Sequence, residues 1–435
     1  MKKLFIYSTL ACLALASCKP NLEPNTPQKG DADFSYYLAV GNSLTAGYTN
    51  GSLYKSAQMN SFPAMLATQF KQVSNGKFEQ PLLPGEHGYP NGKIILAMKQ
   101  GLCDTVPSLS PIPFPGALDS AGSSLNLAFK GPFNNMGIPG IRAIDYLFPG
   151  YGAINPYATR IFVSPLTNRP LDELKLQKHT FFSLWLGNND VLGYAVAGGD
   201  QGTGPTSTIS NIAIFTAAYD SVLQVLTANG AKGIIMNIPD VTSLPYFTAI
   251  PANSAEVTKA QANLLNNAYN GTQVHFNPGK NYFVIQDANS PTGFRQMKKG
   301  ELVRLEIPLD SVKCAGWGTQ KPIPAQFVLT ESEIAKINTA LTQFNSTIST
   351  LAAKYSIPVV DMNSYLKSLS KGISYNGITY TPEFVSGGAF SLDGIHLTGK
   401  GYALAANHMI MTINSYYKSS IASVDPNEYN GIQFP

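Results

Sequence analysis

Short apolar runs that end in glycine and amide residues recur along this chain, separated by stretches with helical spacing. Tyr37-Leu38-Ala39-Val40 runs into Gly41-Asn42-Ser43, and Thr180 to Leu186 (Thr-Phe-Phe-Ser-Leu-Trp-Leu) runs into Gly187-Asn188-Asn189-Asp190. Gly233 to Ile238 and Ile357 to Asp361 are two more such runs, and Ser124 to Phe129 alternates as a strand does. Short, continuous apolar runs predict strands buried on both faces. Between them, Ile212 to Leu226 carries apolar residues at helical spacing. Ile334, Ile337, Leu341, Phe344, Ile348 and Leu351 step by three and four behind Thr330-Glu331-Ser332-Glu333, a capping-box start. Ser61 caps a further helix, and a closing helix runs from about Gly399 to Tyr417. Strands near residues 37, 126, 182, 234 and 358, most with a helix between them, predict an α/β fold. The expected architecture is a three-layer α/β/α sandwich around a central parallel sheet.

Two stretches break this rhythm and read as large insertions, at about 50–130 and 245–330. In the first, Pro107 to Pro115 holds four prolines, so it is neither a regular helix nor a central strand. In the second, Ala255 to Ala268 reads as a helix, while Tyr282 to Ile285 and Leu302 to Ile307 read as strands.

The N-terminus belongs to processing. Lys2 and Lys3 precede an apolar run from Leu4 to Ala16 that is too short for a lasting membrane span. It ends in Leu15-Ala16-Ser17-Cys18, which resembles the bacterial lipobox, where the Cys is acylated. The alternative is an ordinary secretory leader with an incidental Cys. The expected division is a signal peptide over 1–17, a Pro- and Asn-rich tether over 18–33, a body over 34–417 and a tail over 418–435. Lys19 stands where an Asp would mark inner-membrane retention. The expected location is therefore the bacterial envelope, lipid-anchored to the outer membrane through Cys18.

Composition narrows the class. The 435 residues are 44% hydrophobic but only 13% charged, with a formal net charge of +4. That balance offers no basic surface for nucleic acid. Thirty prolines and 38 glycines beside 22 tyrosines and 22 phenylalanines suit a loop-rich exported protein.

The polar ends of the strands carry the candidate chemistry, since function in such sheets gathers at the carboxyl ends of strands. A Gly-x-Ser after a strand is by itself more often turn chemistry than a nucleophile. Ser43 gains partners from elsewhere. Asp393 and His396, three apart where a helix begins, can share one face, with the carboxylate on one imidazole nitrogen and Ser43 at the other. The N–H groups of Ser43 and Gly140 with the Asn189 side chain can form an oxyanion hole.

These blocks resemble the GDSL family, also called SGNH hydrolases, and in particular its envelope lipoproteins. Gly41-Asn42-Ser43-Leu44 matches the first block, with Asn where Asp is usual. Asn135-x-Gly137-x-x-Gly140 matches the second, Gly187-Asn188-Asn189-Asp190 the third and Asp393-x-x-His396 the last, all in the family's order. The resemblance implies a flavodoxin-like fold and a serine ester hydrolase (a lipase, esterase or acylhydrolase) with a Ser43, His396 and Asp393 triad. The substrate is then a lipid, a small ester or an O-acetylated glycan. A reading of another class is a catalytically silent envelope lipoprotein that binds lipid or glycan.

Nothing calls for a cofactor or metal. His87, His179, His275 and His408 share no ligand spacing with one another or with a Cys or carboxylate. Tyr194 and Tyr246 are candidates for lining an acyl or sugar pocket. Cys103 and Cys314 either pair or remain two free thiols, and the sequence leaves the oligomeric state open.

Overall fold

The computed structural model describes residues 26–119 and 131–435. The apolar leader, Cys18, the first half of the tether and the strand read at 124–129 lie outside the described residues. Five parallel strands form the central sheet: β1 (Tyr37–Gly41), β2 (Asn135–Gly137), β3 (Phe181–Trp185), β4 (Lys232–Met236) and β5 (Val359–Val360). Their spatial order is β5-β4-β3-β1-β2, with Tyr37 opposite Phe181 and Ala39 opposite Asn135. All five residues of β1 and of β3 are buried, as strands covered on both faces must be.

Six helices matter for the site: α1 (Ser43–Ala46), α2 (Phe62–Phe70), α3 (Asn189–Val196), α4 (Ile212–Leu226), α5 (Glu331–Lys354) and α6 (Gly399–Tyr417). Helix α2 packs against α6, while α4 and α3 pack against α5. The sheet lies between these two groups, which is the three-layer sandwich the pattern predicted. The caps follow the sequence. Glu333 accepts from the Thr330 N–H at the start of α5, and Thr398 accepts from Gly401 N–H at the start of α6.

Two expectations change. Among the described residues the edge strand beside β1 is the three-residue β2, inside the segment read as a loop. Residues 255–257 form a strand paired with 279–281, and the helix begins only at Lys259. Thr258 explains the break, since its hydroxyl caps the helix that follows.

The stretches read as insertions build their own structure. Residues 94–99 and 108–113 form an antiparallel hairpin off the main sheet, so the prolines occupy a two-stranded edge. The 245–330 stretch holds separate small cores around Ile285 and Ile323, and around Leu265 and Phe276. Cys103 and Cys314 are joined in a disulfide, with Cα atoms 6.1 Å apart across 211 residues of sequence. No helix among the described residues is long and apolar enough to cross a membrane.

Candidate active site

Strand β1 delivers Ser43 to the first position of α1, a helix of four residues. Asn42 caps it, with Oδ1 accepting from the Leu44 N–H at 3.1 Å, so the residue that departs from the usual Asp braces the turn. Its Nδ2 is buried without a partner among the described residues. Ser43 is 8% exposed, which leaves its hydroxyl one open side.

Asp393 and His396 come from the segment just before α6. The pair was expected on one helical face, yet both residues lie in a turn. The Asp-Gly step makes the difference. Asp393 Oδ1 accepts from the N–H groups of Ile395 and His396, both at 2.8 Å, and this Asx turn aims the imidazole back at its own carboxylate. His396 Nδ1 then lies 2.9 Å from Asp393 Oδ2, and His396 Nε2 lies 2.8 Å from Ser43 Oγ. A carboxylate only accepts, so Nδ1 carries the hydrogen and Nε2 is free to take the Ser43 proton.

Asp393 stays charged. Burial alone would raise its carboxyl, but the His396 imidazole and the N–H groups of His396 and Ile395 outweigh burial and hold it well below the usual carboxylate range. A further donor was not foreseen: Gly51 N–H reaches Asp393 Oδ2 at 2.7 Å. The neighbouring Asn50 clamps the same turn, donating from N–H to Ser391 Oγ and accepting from Leu392 N–H. Tyr48 packs against the His396 ring at 4.6 Å. Asn50 and Gly51 fall at the start of the stretch read as an insertion, where only the Thr49-Asn50-Gly51 turn signals this use.

The three residues expected to supply oxyanion donors follow β1 (Ser43), follow β2 (Gly140) and open α3 (Asn189). Gly137 lets β2 pass against α1, since a Cβ there would sit 2.3 Å from Ala46 N. Gly140 turns the chain with φ +82°, a left-handed conformation that suits glycine, and its N–H donates to no acceptor among the described residues. The Ser43 N–H likewise donates to no acceptor among the described residues. Asn189, the first residue of α3, donates one Nδ2 hydrogen to Ile141 O at 2.9 Å and keeps the other. That contact locks α3 to the loop carrying Gly140. Asn155, which sequence reasoning did not single out, and Asn135, which opens the second block, brace the same loop. Asn155 Nδ2 donates to Pro139 O, while Asn135 Nδ2 donates to Thr45 O and its Oδ1 accepts from Gly137 N–H.

Asp190 completes the support. It is fully buried and accepts from Ala143 N–H at 2.7 Å, while burial pushes its carboxyl up to about 7. An acid raised on folding adds stability that is present below its unfolded value and lost as pH rises through the folded one. Between about pH 4 and pH 7 the Asp190 contribution therefore falls as pH rises. Asp190→Asn keeps the Ala143 contact and should flatten that slope, read as urea midpoints at pH 5 and pH 8. Equal pH dependence in the two proteins would show that Asp190 is charged throughout.

Of the two tyrosine candidates, only Tyr246 lines a hollow next to the site. The Tyr194 hydroxyl is instead held by Asp200 at 2.8 Å. A cavity of about 40 Å³ lies against Ser43 and Asn189, walled by Leu192, Val241, Leu244 and Phe390. Ser43, His396 and Asp393 together form a line along which a hydroxyl proton can move.

A family model described as GDSL-like Lipase/Acylhydrolase matches residues 37–409, a span that holds every residue of this site. No curated protein matches the chain. Among solved structures, a protein described as a GDSL-like lipase from Parabacteroides merdae is 10% identical, covering 90% of this chain and 99% of that one, with a TM-score of 0.34. A variant of an acetyl-xylooligosaccharide esterase from Geobacillus stearmophilus is 11% identical, covering 88% and 96%, with a TM-score of 0.35. An extracellular lipase from Streptomyces rimosus is 12% identical, covering 87% and 98%, with a TM-score of 0.34.

Proposed function

The chain belongs to the GDSL-like lipase/acylhydrolase family of ester-bond hydrolases, and from that premise we propose that it cleaves short-chain carboxylic esters through Ser43. Ser43 Oγ attacks the ester carbonyl as His396 Nε2 takes its proton, and Asp393 stabilises the imidazolium that forms. The oxyanion is held by the N–H groups of Ser43 and Gly140 and by Asn189 Nδ2. The carbonyl–alkoxy bond then breaks, and the alcohol leaves with the proton from His396. Water, deprotonated by the same imidazole, cleaves the acyl–Ser43 ester and releases the carboxylic acid. The observation that carries this reading is the unbroken line from Ser43 Oγ through His396 to Asp393, at 2.8 and 2.9 Å.

The preference for short chains rests on the cavity beside Ser43. Its volume of about 40 Å³ has room for about three water-sized groups. An acetyl or propionyl group fills it, whereas an octanoyl chain has to extend beyond it. In a p-nitrophenyl ester series, kcat/KM should be highest for acetate or propionate and at least about tenfold lower for octanoate. A rise with chain length would contradict the size argument, and full hydrolysis by Ser43→Ala would remove Ser43 from the mechanism. In the same reading the enzyme is held in the bacterial envelope by a lipid on Cys18, as the leader over residues 1–17 implies.

A further inference from the structure

Ser43 and His396 lie 353 positions apart in the chain, so their segments must be held in register by contacts between them. The bonds inside the Asx turn cannot do this, because Asp393, Ile395 and His396 belong to one loop and move together. One tie comes from the segment that follows Ser43. Beyond α1 the chain makes a tight turn from Thr49 to Ser52. Thr49 N–H donates to Ser52 O and Ser52 N–H to Thr49 O, each at 3.1 Å. Asn50 and Gly51 occupy the corner with φ +52° and +72°, the residue pair that such a turn favours.

This turn grips the loop of the acid–base pair at three successive residues. Asn50 N–H donates to Ser391 Oγ at 2.9 Å, and Asn50 Oδ1 accepts from Leu392 N–H at 3.0 Å. Gly51 N–H donates to Asp393 Oδ2, the oxygen that also faces His396 Nδ1. Residues 391–393 are thereby fixed against the segment that bears Ser43. The turn is itself anchored. Asn50 Nδ2 donates to Tyr54 Oη at 3.0 Å, and Asn50 O accepts from Ile94 N–H at 2.7 Å. Tyr48 Oη donates to Gly51 O at 2.6 Å. Every polar group of Asn50 is in use. Turn chemistry alone does not account for that, since glycine at position 50 would serve the same turn. The Asn side chain is directed at Leu392 and Tyr54 instead.

We propose that Asn50 is a positioning residue for ester cleavage: by clamping residues 391–393 it sets the alignment of His396 on Ser43 and of Asp393 on His396. The proposal rests on the reading of Ser43, His396 and Asp393 as a triad. Misplacing reacting groups by about 1 Å can cost about 100-fold in rate, so a loosened clamp acts on kcat. Asn50 does not line the cavity beside Ser43, so substrate binding does not depend on it.

Asn50→Gly is the informative variant, because it keeps the turn and removes only the side-chain bonds. On p-nitrophenyl acetate its kcat should fall about 10- to 100-fold while KM stays within about twofold. The same substitution made in His396→Ala should change the remaining rate by less than about twofold, since no imidazole is left to align. A kcat of Asn50→Gly within about twofold of wild type overturns the proposal. So does an equal loss in both backgrounds, which a general loosening of the fold would give. Tyr54→Phe covers the case in which Asn50→Gly fails to fold, for it removes only the hydroxyl that receives Asn50 Nδ2. Its kcat should fall at least about threefold at constant KM, and an unchanged kcat overturns the proposal. If His396→Ala itself loses less than about tenfold, the triad reading fails and the proposal with it. A silent His396→Ala beside an unchanged Asn50→Gly condemns the role of Asn50 alone.

Discussion

Replacing His396 with alanine is expected to lower kcat on p-nitrophenyl acetate by about 10⁴- to 10⁶-fold. No other described base approaches Ser43 Oγ, so an uncharged hydroxyl would have to attack unaided. The fold should survive the change. Asp393 keeps the N–H groups of Gly51, Ile395 and residue 396 as donors, and the turn depends on those rather than on the ring. Circular dichroism and a melting curve would establish that the variant is folded before rates are compared. A loss below about tenfold would mean that another group takes the Ser43 proton.

Asn189→Ala should cost about 10²- to 10³-fold in kcat, the usual size of one lost oxyanion donor. Two effects add in the same direction. The variant loses the Nδ2 hydrogen left free for the proposed oxyanion, and it also releases Ile141 O, which ties α3 to the loop bearing Gly140. KM should change far less than kcat, because these donors act on charge that develops only in the transition state. A loss below about threefold, with folding intact, would remove Asn189 from the hole.

The sequence carried the fold where strands are long and apolar, and lost it where they are short. β1, β3 and β4 were legible because their continuous apolar runs end at glycine or polar residues. β2 was not, for it is three residues containing Asn and Gly, and it is a strand only because β1 offers it a ladder. The ends of α4 and α6 matched the pattern, since apolar spacing, an Asn cap and a Thr cap each acted locally. The four polar blocks were visible as motifs, but how Asp393 reaches His396 was misread. Helical spacing seemed sufficient, whereas an Asx turn makes the contact, and the Asp-Gly dipeptide was the neglected signal.

What stayed hidden depends on contacts between distant segments. Gly51 donating to Asp393 spans 342 positions, and no local pattern encodes it. The same holds for the Cys103–Cys314 bond, because sequence spacing does not give the distance between two Cα atoms. Asp190 stood in plain sight within its block. Its use as a buried brace follows only from where Ala143 lies.

The most direct test of the account is to treat the wild type, Ser43→Ala and His396→Ala with a fluorophosphonate and locate the adduct by peptide mass spectrometry. The account predicts one adduct, on Ser43, in the wild type, none in Ser43→Ala and greatly slowed labelling in His396→Ala. A folded wild type that stays unlabelled, or carries its adduct on another residue, would contradict the claim that Ser43 is the nucleophile.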